Sequence, residues 1–193
     1  VEHIRCRNTY QDVFYRRKST MAKKNPGQIR GWPMRGGPGG AWCQGDVKLP
    51  ALQEINKRRD GNVMSLGFAA DEPDRTHILS DKKKSPLVEA GWTEADCRRW
   101  CEENDLLSPI YTTATRGGCW FCHNQSVGQL RLLRRDYPEL WALLLKWDAD
   151  SPVTFHSDGH TVHDFDRRFQ MEDEGLIYPD DTLYRTYSRT RWS

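Results

Sequence analysis

No stretch of this chain approaches the run of about 20 apolar residues that a membrane-spanning helix requires, and no secretory leader is visible at its start. Nor is there a surplus of one charge. The 29 Lys and Arg against 27 Asp and Glu leave a formal +2, so bulk charge does not demand a nucleic-acid partner. The basic runs Arg16-Arg17-Lys18, Lys82-Lys83-Lys84 and Arg131 with Arg134-Arg135 read as solvated faces. No internal repeat is present, which excludes a repeat architecture. Cysteine is sparse, six in 193 residues. Without a secretory segment, that number fits thiols in a reducing cytoplasm better than a disulfide framework. What is plentiful is aromatic: 8 Trp, 7 Tyr and 6 Phe argue for a packed core in an otherwise polar chain that is 37% hydrophobic.

Local signals place the elements. Residues 1–6 alternate as a strand does. Thr9 with Asp12 forms a capping-box pattern that opens a helix to about Arg17, with Tyr10, Val13 and Phe14 on one face. A long Gly/Pro/Lys segment follows from Lys18 to Gln44, including Gly36-Gly37-Pro38-Gly39-Gly40, and reads as a functional or disordered loop. Leu49-Pro50 starts a helix with Pro in its first turn. Residues 62–69, with Val63, Met64, Leu66 and Phe68, read as a buried strand. Thr93 and Asp96 box another helix, on which Cys97, Trp100 and Cys101 share a face. Ser126 precedes a short helix with Leu130 and Leu133, and Pro138 begins an aromatic-rich one that ends near Asp148. From Asp150 onward the chain reads as polar turns, with His156, His160 and His163 at the surface. Two strands around a helix suggest a βαβ crossover, but two strands do not make a stable doubly wound sheet. The chain is therefore expected to be a fragment, or to have its sheet completed by something else.

The chemistry concentrates in Gly117-Gly118-Cys119-Trp120-Phe121-Cys122-His123. Two thiols three positions apart make half of a soft metal site, and the glycines are expected to let the backbone turn tightly enough. Cys43, Cys97 and Cys101 are the candidates for the remaining positions. All-thiolate ligation suits zinc or an iron–sulfur cluster. His123 lies too near Cys122 to ligate with it comfortably. Cys6, in its strand, reads as structural. A second candidate site follows the strand. Asp71 or Glu72 could accept from a ribose or adenine, and Arg75 and Lys48 could pair with phosphate. The plainer reading of Asp71-Glu72-Pro73 is a polar turn.

Four motifs in order carry a resemblance. Trp42-Cys43 with Lys48 comes first, then Gly67-Phe68-Ala69-Ala70-Asp71-Glu72-Pro73-Asp74-Arg75. Ser85-Pro86-Leu87 follows, running into Gly91-Trp92-Thr93-Glu94-Ala95-Asp96, Asn104 and Leu107-Ser108-Pro109-Ile110-Tyr111. Gly118-Cys119-x-x-Cys122 closes the series. Over about residues 1–147 the chain resembles the C-terminal part of the phosphoadenosine phosphosulfate (PAPS) reductase family, of the adenine nucleotide alpha-hydrolase-like (PP-loop) superfamily, with cluster-type relatives in phage and mobile elements. The resemblance implies a partial doubly wound, Rossmann-like HUP-type parallel sheet lacking its N-terminal βα units, followed by a mainly helical cysteine-bearing region. The corresponding divisions are 1–92, 93–149 and a polar extension 150–193.

It also implies a site. Cys43, Cys101, Cys119 and Cys122 would hold a [4Fe–4S] cluster, with Cys97 as fallback for Cys101 and zinc as the alternative metal. Lys48, Gly67, Asp71, Glu72 and Arg75 would bind an adenine nucleotide, ATP or PAPS. The implied activity is sulfur transfer or substrate activation, with nucleic acid as a possible sulfur acceptor. The family's Ser-Gly-Gly-Lys-Asp-Ser phosphate loop is absent from the chain, so a preceding segment or a partner chain is expected to supply it. The family's C-terminal nucleophilic cysteine also has no counterpart after Cys122, so PAPS reduction to sulfite is not expected and no catalytic residue is assigned. The alternative is a non-catalytic zinc- or cluster-stabilised module, or one part of a split protein.

Overall fold

The computed structural model describes residues 5–33, 41–58, 61–112 and 117–179. It is a mixed α/β structure made mainly of helices, and among the described residues its one sheet is a two-stranded parallel pair. The chain forms two compact units, residues 1–51 with 118–193 and residues 52–117. This grouping differs from sequential boundaries at 92 and 149, because helices from the last third of the chain pack with the first one.

In the first unit, helix α1 (Tyr10–Phe14) opens with the expected box, Thr9 Oγ1 accepting from Asp12 N at 3.1 Å and Asp12 Oδ2 accepting from Thr9 N at 2.8 Å. It ends at Tyr15, earlier than the apolar spacing suggested, because the chain turns into an antiparallel ribbon. Lys18 N donates to Gln28 O at 2.9 Å and Arg30 N to Arg16 O at 3.0 Å, with Arg17 facing Ile29. The first part of the long loop is thus built structure, while the Gly36–Gly40 stretch lies outside the described residues. Beyond it, a π-helical segment, Cys43–Lys48, leads directly into α2 (Leu49–Arg58), which crosses the boundary between the units.

Three longer helices complete this unit: α6 (Val127–Asp136), α7 (Pro138–Asp150) and α8 (Val162–Asp173). Capping boxes at Ser126 and Thr161 start α6 and α8, each supporting its helix by about 1 kcal/mol. Helix α8 corrects the reading of the last segment as polar turns. Its alternating charges masked Val162, Phe165 and Phe169, all buried against Leu130, Trp141 and Leu144. His156 is correspondingly not a surface residue. It stacks on Phe155 at 5.3 Å, and burial lowers its pKa below the ordinary value. His163 is exposed, and its Nδ1 lies 2.8 Å from Asp148.

The helices are also tied by charge. Arg131 reaches both carboxylate oxygens of Glu172, at 2.6 and 3.0 Å, and Arg168 meets the same carboxylate at 2.8 Å. Arg134 bridges Asp166 at 3.1 Å and Asp173 at 2.6 Å. The Arg131/Arg134 cluster is therefore a seam between α6 and α8 and not a solvated basic face.

In the second unit, β1 (Met64–Ser65) pairs in parallel with β2 (Lys83–Lys84), in the register Met64 with Lys83 and Ser65 with Lys84. The buried strand expected over 62–69 is reduced to this short pair. Met64, Leu66 and Phe68 turn inward, while Val63, Ser65 and Gly67 are exposed, so the segment is half-buried with a single partner. β2, a lysine run, carries no apolar signal of a strand. Between the strands lies α3 (Pro73–Thr76), and α4 (Pro86–Glu89), α5 (Glu94–Glu103) and a 3₁₀ turn, Pro109–Thr112, follow. The strand expected over 1–6 lies mostly outside the described residues. Within them Cys6 is exposed and in irregular backbone, so it is not a structural core thiol.

Glu172 gives the first unit a pH dependence. Burial raises its pKa, but the bonds from Arg131 and Arg168 outweigh this and hold it below the ordinary 4.5. A carboxylate lowered in the folded state contributes stability that is fully present above its unfolded value and is lost as pH falls through the folded value. Thermal melts should therefore show stability declining below about pH 4.5. Glu172→Gln should cost about 2 kcal/mol at pH 7 and flatten that decline.

Candidate metal centre

The thiol loop is shaped by its own hydrogen bonds. Cys122 N donates to Cys119 O at 2.9 Å, closing a turn that sets the two cysteines side by side. Gln125 locks it from below, its Nε2 donating to Cys119 O at 2.8 Å and Trp120 O at 2.9 Å. The glycines are not what the turn requires. Neither Gly117 nor Gly118 has a left-handed backbone, and a Cβ on Gly118 would meet open space.

Cys43, at the start of the π-helical segment, comes to the same place. Burial, followed by the charge of Cys122, pushes its thiol pKa up, with Cys119 adding to the effect. Lys48 and the Gln44 backbone N–H act in the opposite sense. The structure thus brings Cys43, Cys119 and Cys122 into mutual electrostatic reach, from chain positions more than seventy residues apart. Cys101 lies on α5 in the second unit, beside Cys97. Burial, then Cys101, raise the Cys97 pKa.

Aromatic rings pack together beside the thiol-bearing segments. Tyr10 lies 4.7 Å from Trp42 and 4.3 Å from Phe121, the chain neighbours of Cys43 and Cys122, and 5.7 Å from Trp147. Trp120 stacks on Trp147 at 5.5 Å. The Tyr10 hydroxyl is shut off from water and has no hydrogen-bond partner among the described residues. Burial, then the charges of Cys43, Cys122 and Cys119, hold its pKa far above the ordinary 10.0. Nothing in the sequence marked Tyr10 as part of the site, since its spacing with Val13 and Phe14 explains it as core. His123, beside Cys122, is 5% exposed.

Among the described residues, no three His, Cys, Asp or Glu side chains stand in an arrangement that could hold a metal ion. The three thiols are neighbours here and not yet ligands. Their chemistry nevertheless fits a soft metal. They are the donors that zinc and iron–sulfur clusters take once deprotonated.

The second candidate site is organised locally. Glu72 Oε1 pairs with Arg75 at 2.7 Å and its Oε2 accepts from Ala69 N at 3.1 Å. The Arg75 bond, then the Ala69 N–H, lower the Glu72 pKa. The Arg75 guanidinium sits 4.4 Å from the Phe68 ring centroid, and Asp71 Oδ1 accepts from Glu94 N at the start of α5, 3.0 Å away. Gly67 has neither positive φ nor a close neighbour. Lys48 belongs to the first unit, with Cys43, and not to the unit of Asp71, Glu72 and Arg75.

Tyr10→Phe should not destabilise the metal-free protein. It removes a buried hydroxyl that forms no bond, and a gain of about 1 kcal/mol is expected from chemical denaturation. A loss of 1 kcal/mol or more would show that the hydroxyl has a partner.

Comparison with models of protein families, with curated proteins and with solved structures finds no match for this chain.

Proposed function

We propose that the chain carries a thiolate-bound metal centre, a [4Fe–4S] cluster in the first instance, in an adenine-nucleotide-dependent sulfur-transfer or substrate-activating protein of PAPS reductase type. The convergence of Cys43, Cys119 and Cys122 supports the first part of this reading. The ordered motifs of the sequence and the parallel β1–β2 pair, compatible with part of a Rossmann-like sheet, support the second. Cys43, Cys119 and Cys122 are the ligands that the first unit supplies. A metal held by three protein thiolates keeps one coordination position for a substrate or an additional ligand. Around it, Trp42, Trp120, Phe121 and Trp147 exclude water, and the Tyr10 hydroxyl is available to donate to a bound sulfur.

Anaerobic purification followed by iron, sulfide and zinc analysis tests the centre. Cys43→Ser, Cys119→Ser and Cys122→Ser should each lower bound metal at least severalfold, while Cys6→Ser should leave it unchanged. Cys101→Ser and Cys97→Ser report which second-unit thiol, if either, also contributes. Metal-free protein under anaerobic conditions, or full retention in the Cys119→Ser and Cys122→Ser proteins, would overturn the reading.

A second reading, a metal-stabilised module without nucleotide chemistry, is favoured by one observation. Glu72, Arg75 and Asp71 already have partners within their own unit. Gly67→Ala separates the two. The substitution adds a methyl into open space and should change stability by less than about 0.5 kcal/mol. If a nucleotide approaches Gly67, the equally stable variant should bind ATP several times more weakly by calorimetry. Unchanged binding, or none in either protein, supports the module.

A further inference from the structure

The three basic clusters of the chain differ in what surrounds them. Arg131 and Arg134 are consumed by Glu172, Asp166 and Asp173, and Arg135 by Asp136. Lys84 has Asp81 at 3.9 Å, in a segment that also carries Asp74. The ribbon over 15–30 is different. It carries Arg16, Arg17, Lys18, Lys23, Lys24 and Arg30, and the sequence has no Asp or Glu between Asp12 and Asp46. Arg30 is paired with Asp46, and Asp12 faces Arg16 at the base. Arg17, Lys18, Lys23 and Lys24 form no ion pair with a carboxylate among the described residues. A chain of net +2 therefore concentrates unneutralised positive charge on one exposed element.

That element is ordered. Its two arms meet at the single bridge of Arg17 with Ile29, flanked by the Lys18–Gln28 and Arg30–Arg16 backbone bonds. Arg17 Nη1 donates to Gly27 O at 3.0 Å across the ribbon. Asn25 and Gly27 take the left-handed backbone that its tip needs, at φ 49° and 71°. Its base is fixed in the core by Phe14, 0% exposed, and Trp32, 1% exposed, and Gly31 N donates to Phe14 O at 3.1 Å. Ordering such a ribbon on its own would leave like charges crowded together, a cost that a polyanion removes.

We propose that this ribbon is a docking element for the phosphate backbone of duplex nucleic acid. Its exposed cations, with no carboxylate beside them, are the groups that neutralise phosphates along a duplex. The cations stand beside Ser19, Thr20, Asn25 and Gln28, side chains that hydrogen-bond phosphate oxygens. A lipid surface fits less well. Met21, at 92% exposure, is the large apolar side chain at the tip, and the aromatic and leucine anchors of interfacial elements are lacking there. The element is distinct from the thiol centre, and binding to it is read without any metal, so failure here leaves the metal reading standing.

The test is fluorescence anisotropy of the full chain with a labelled 20-base-pair DNA duplex, at 50, 100 and 200 mM KCl. Arg16→Ala/Lys23→Ala/Lys24→Ala should weaken binding about tenfold or more and reduce the slope of log K against log salt by about 2.7. Lys82→Ala/Lys83→Ala/Lys84→Ala, an equal change of net charge elsewhere, should alter affinity less than about twofold. Circular dichroism checks the fold, and Lys23→Ala/Lys24→Ala at the exposed tip replaces the triple variant if it unfolds. The proposal is overturned by no duplex binding at 50 mM KCl, by equal losses in the two triple variants, or by binding to phosphatidylserine vesicles in preference to duplex. An RNA duplex bound with the same loss in the ribbon variant supports it.

Discussion

The first unit is organised around one buried carboxylate. Asp148, near the end of α7, has a side chain 3% exposed and accepts from three donors: Trp32 Nε1 at 3.0 Å, His163 N at 3.2 Å and the His163 ring at 2.8 Å. Burying a carboxylate costs several kcal/mol, and an arrangement of this kind persists only when its oxygens are satisfied. Here the satisfaction comes from two other segments. Trp32 ends the basic ribbon, and His163 begins α8. One side chain therefore places the ribbon, α7 and α8 together. The short-range consequences are visible in the rings: Trp32 meets Phe14 at 5.1 Å and Phe155 at 4.8 Å, and Phe14 lies 5.8 Å from Trp147.

From Trp147 the packing runs outward to the thiols. Its ring touches Tyr10, Trp120 and Phe121, so α7 supplies the floor for the Cys119–Cys122 loop, while Tyr10 carries the packing on to Trp42 beside Cys43. Aromatic surroundings have an electrostatic effect on sulfur. They withhold the water that would stabilise a thiolate, which is why burial is the first cause of the raised Cys43 pKa. The same surroundings strengthen attraction between thiolates and a cation once one is present. Packing and site chemistry are thus one property of this unit.

Helix starts were legible in the sequence because a cap is a local device. The boxes at Thr9 and Thr93 need only residues three apart, and both are formed. The remainder depends on distant partners. β2 is a run of lysines, and only its pairing with Met64 and Ser65 makes it a strand. α8 hides its apolar stripe among Asp166, Arg167, Arg168, Glu172 and Asp173, and several of these charges are spent on α6. At the site, the CxxC spacing pointed to Cys119 and Cys122, and Cys43 followed as a remote thiol. Tyr10 carried no signal, since a buried hydroxyl without a partner looks in sequence like any tyrosine on a core face.

The motifs behind the family resemblance have a structural account of their own. Ser85, 1% exposed, caps α4 and donates to Phe68 O at 2.7 Å. Gly91 adopts φ 69°, which lets Trp92 N reach Leu87 O at 2.8 Å and Trp92 O accept from Ala70 N at 2.7 Å. Thr93 and Asp96 then start α5, to which Asp71 is tied through Glu94 N. These residues join the end of the β1 segment to the helix bearing Cys97 and Cys101. A pattern that preserves such joints preserves the position of whatever follows the strand and whatever lies on the helix. That is the physical content a sequence motif of this kind carries. It accounts for the local architecture of the second unit, while the case for metal chemistry rests separately on the thiols of the first.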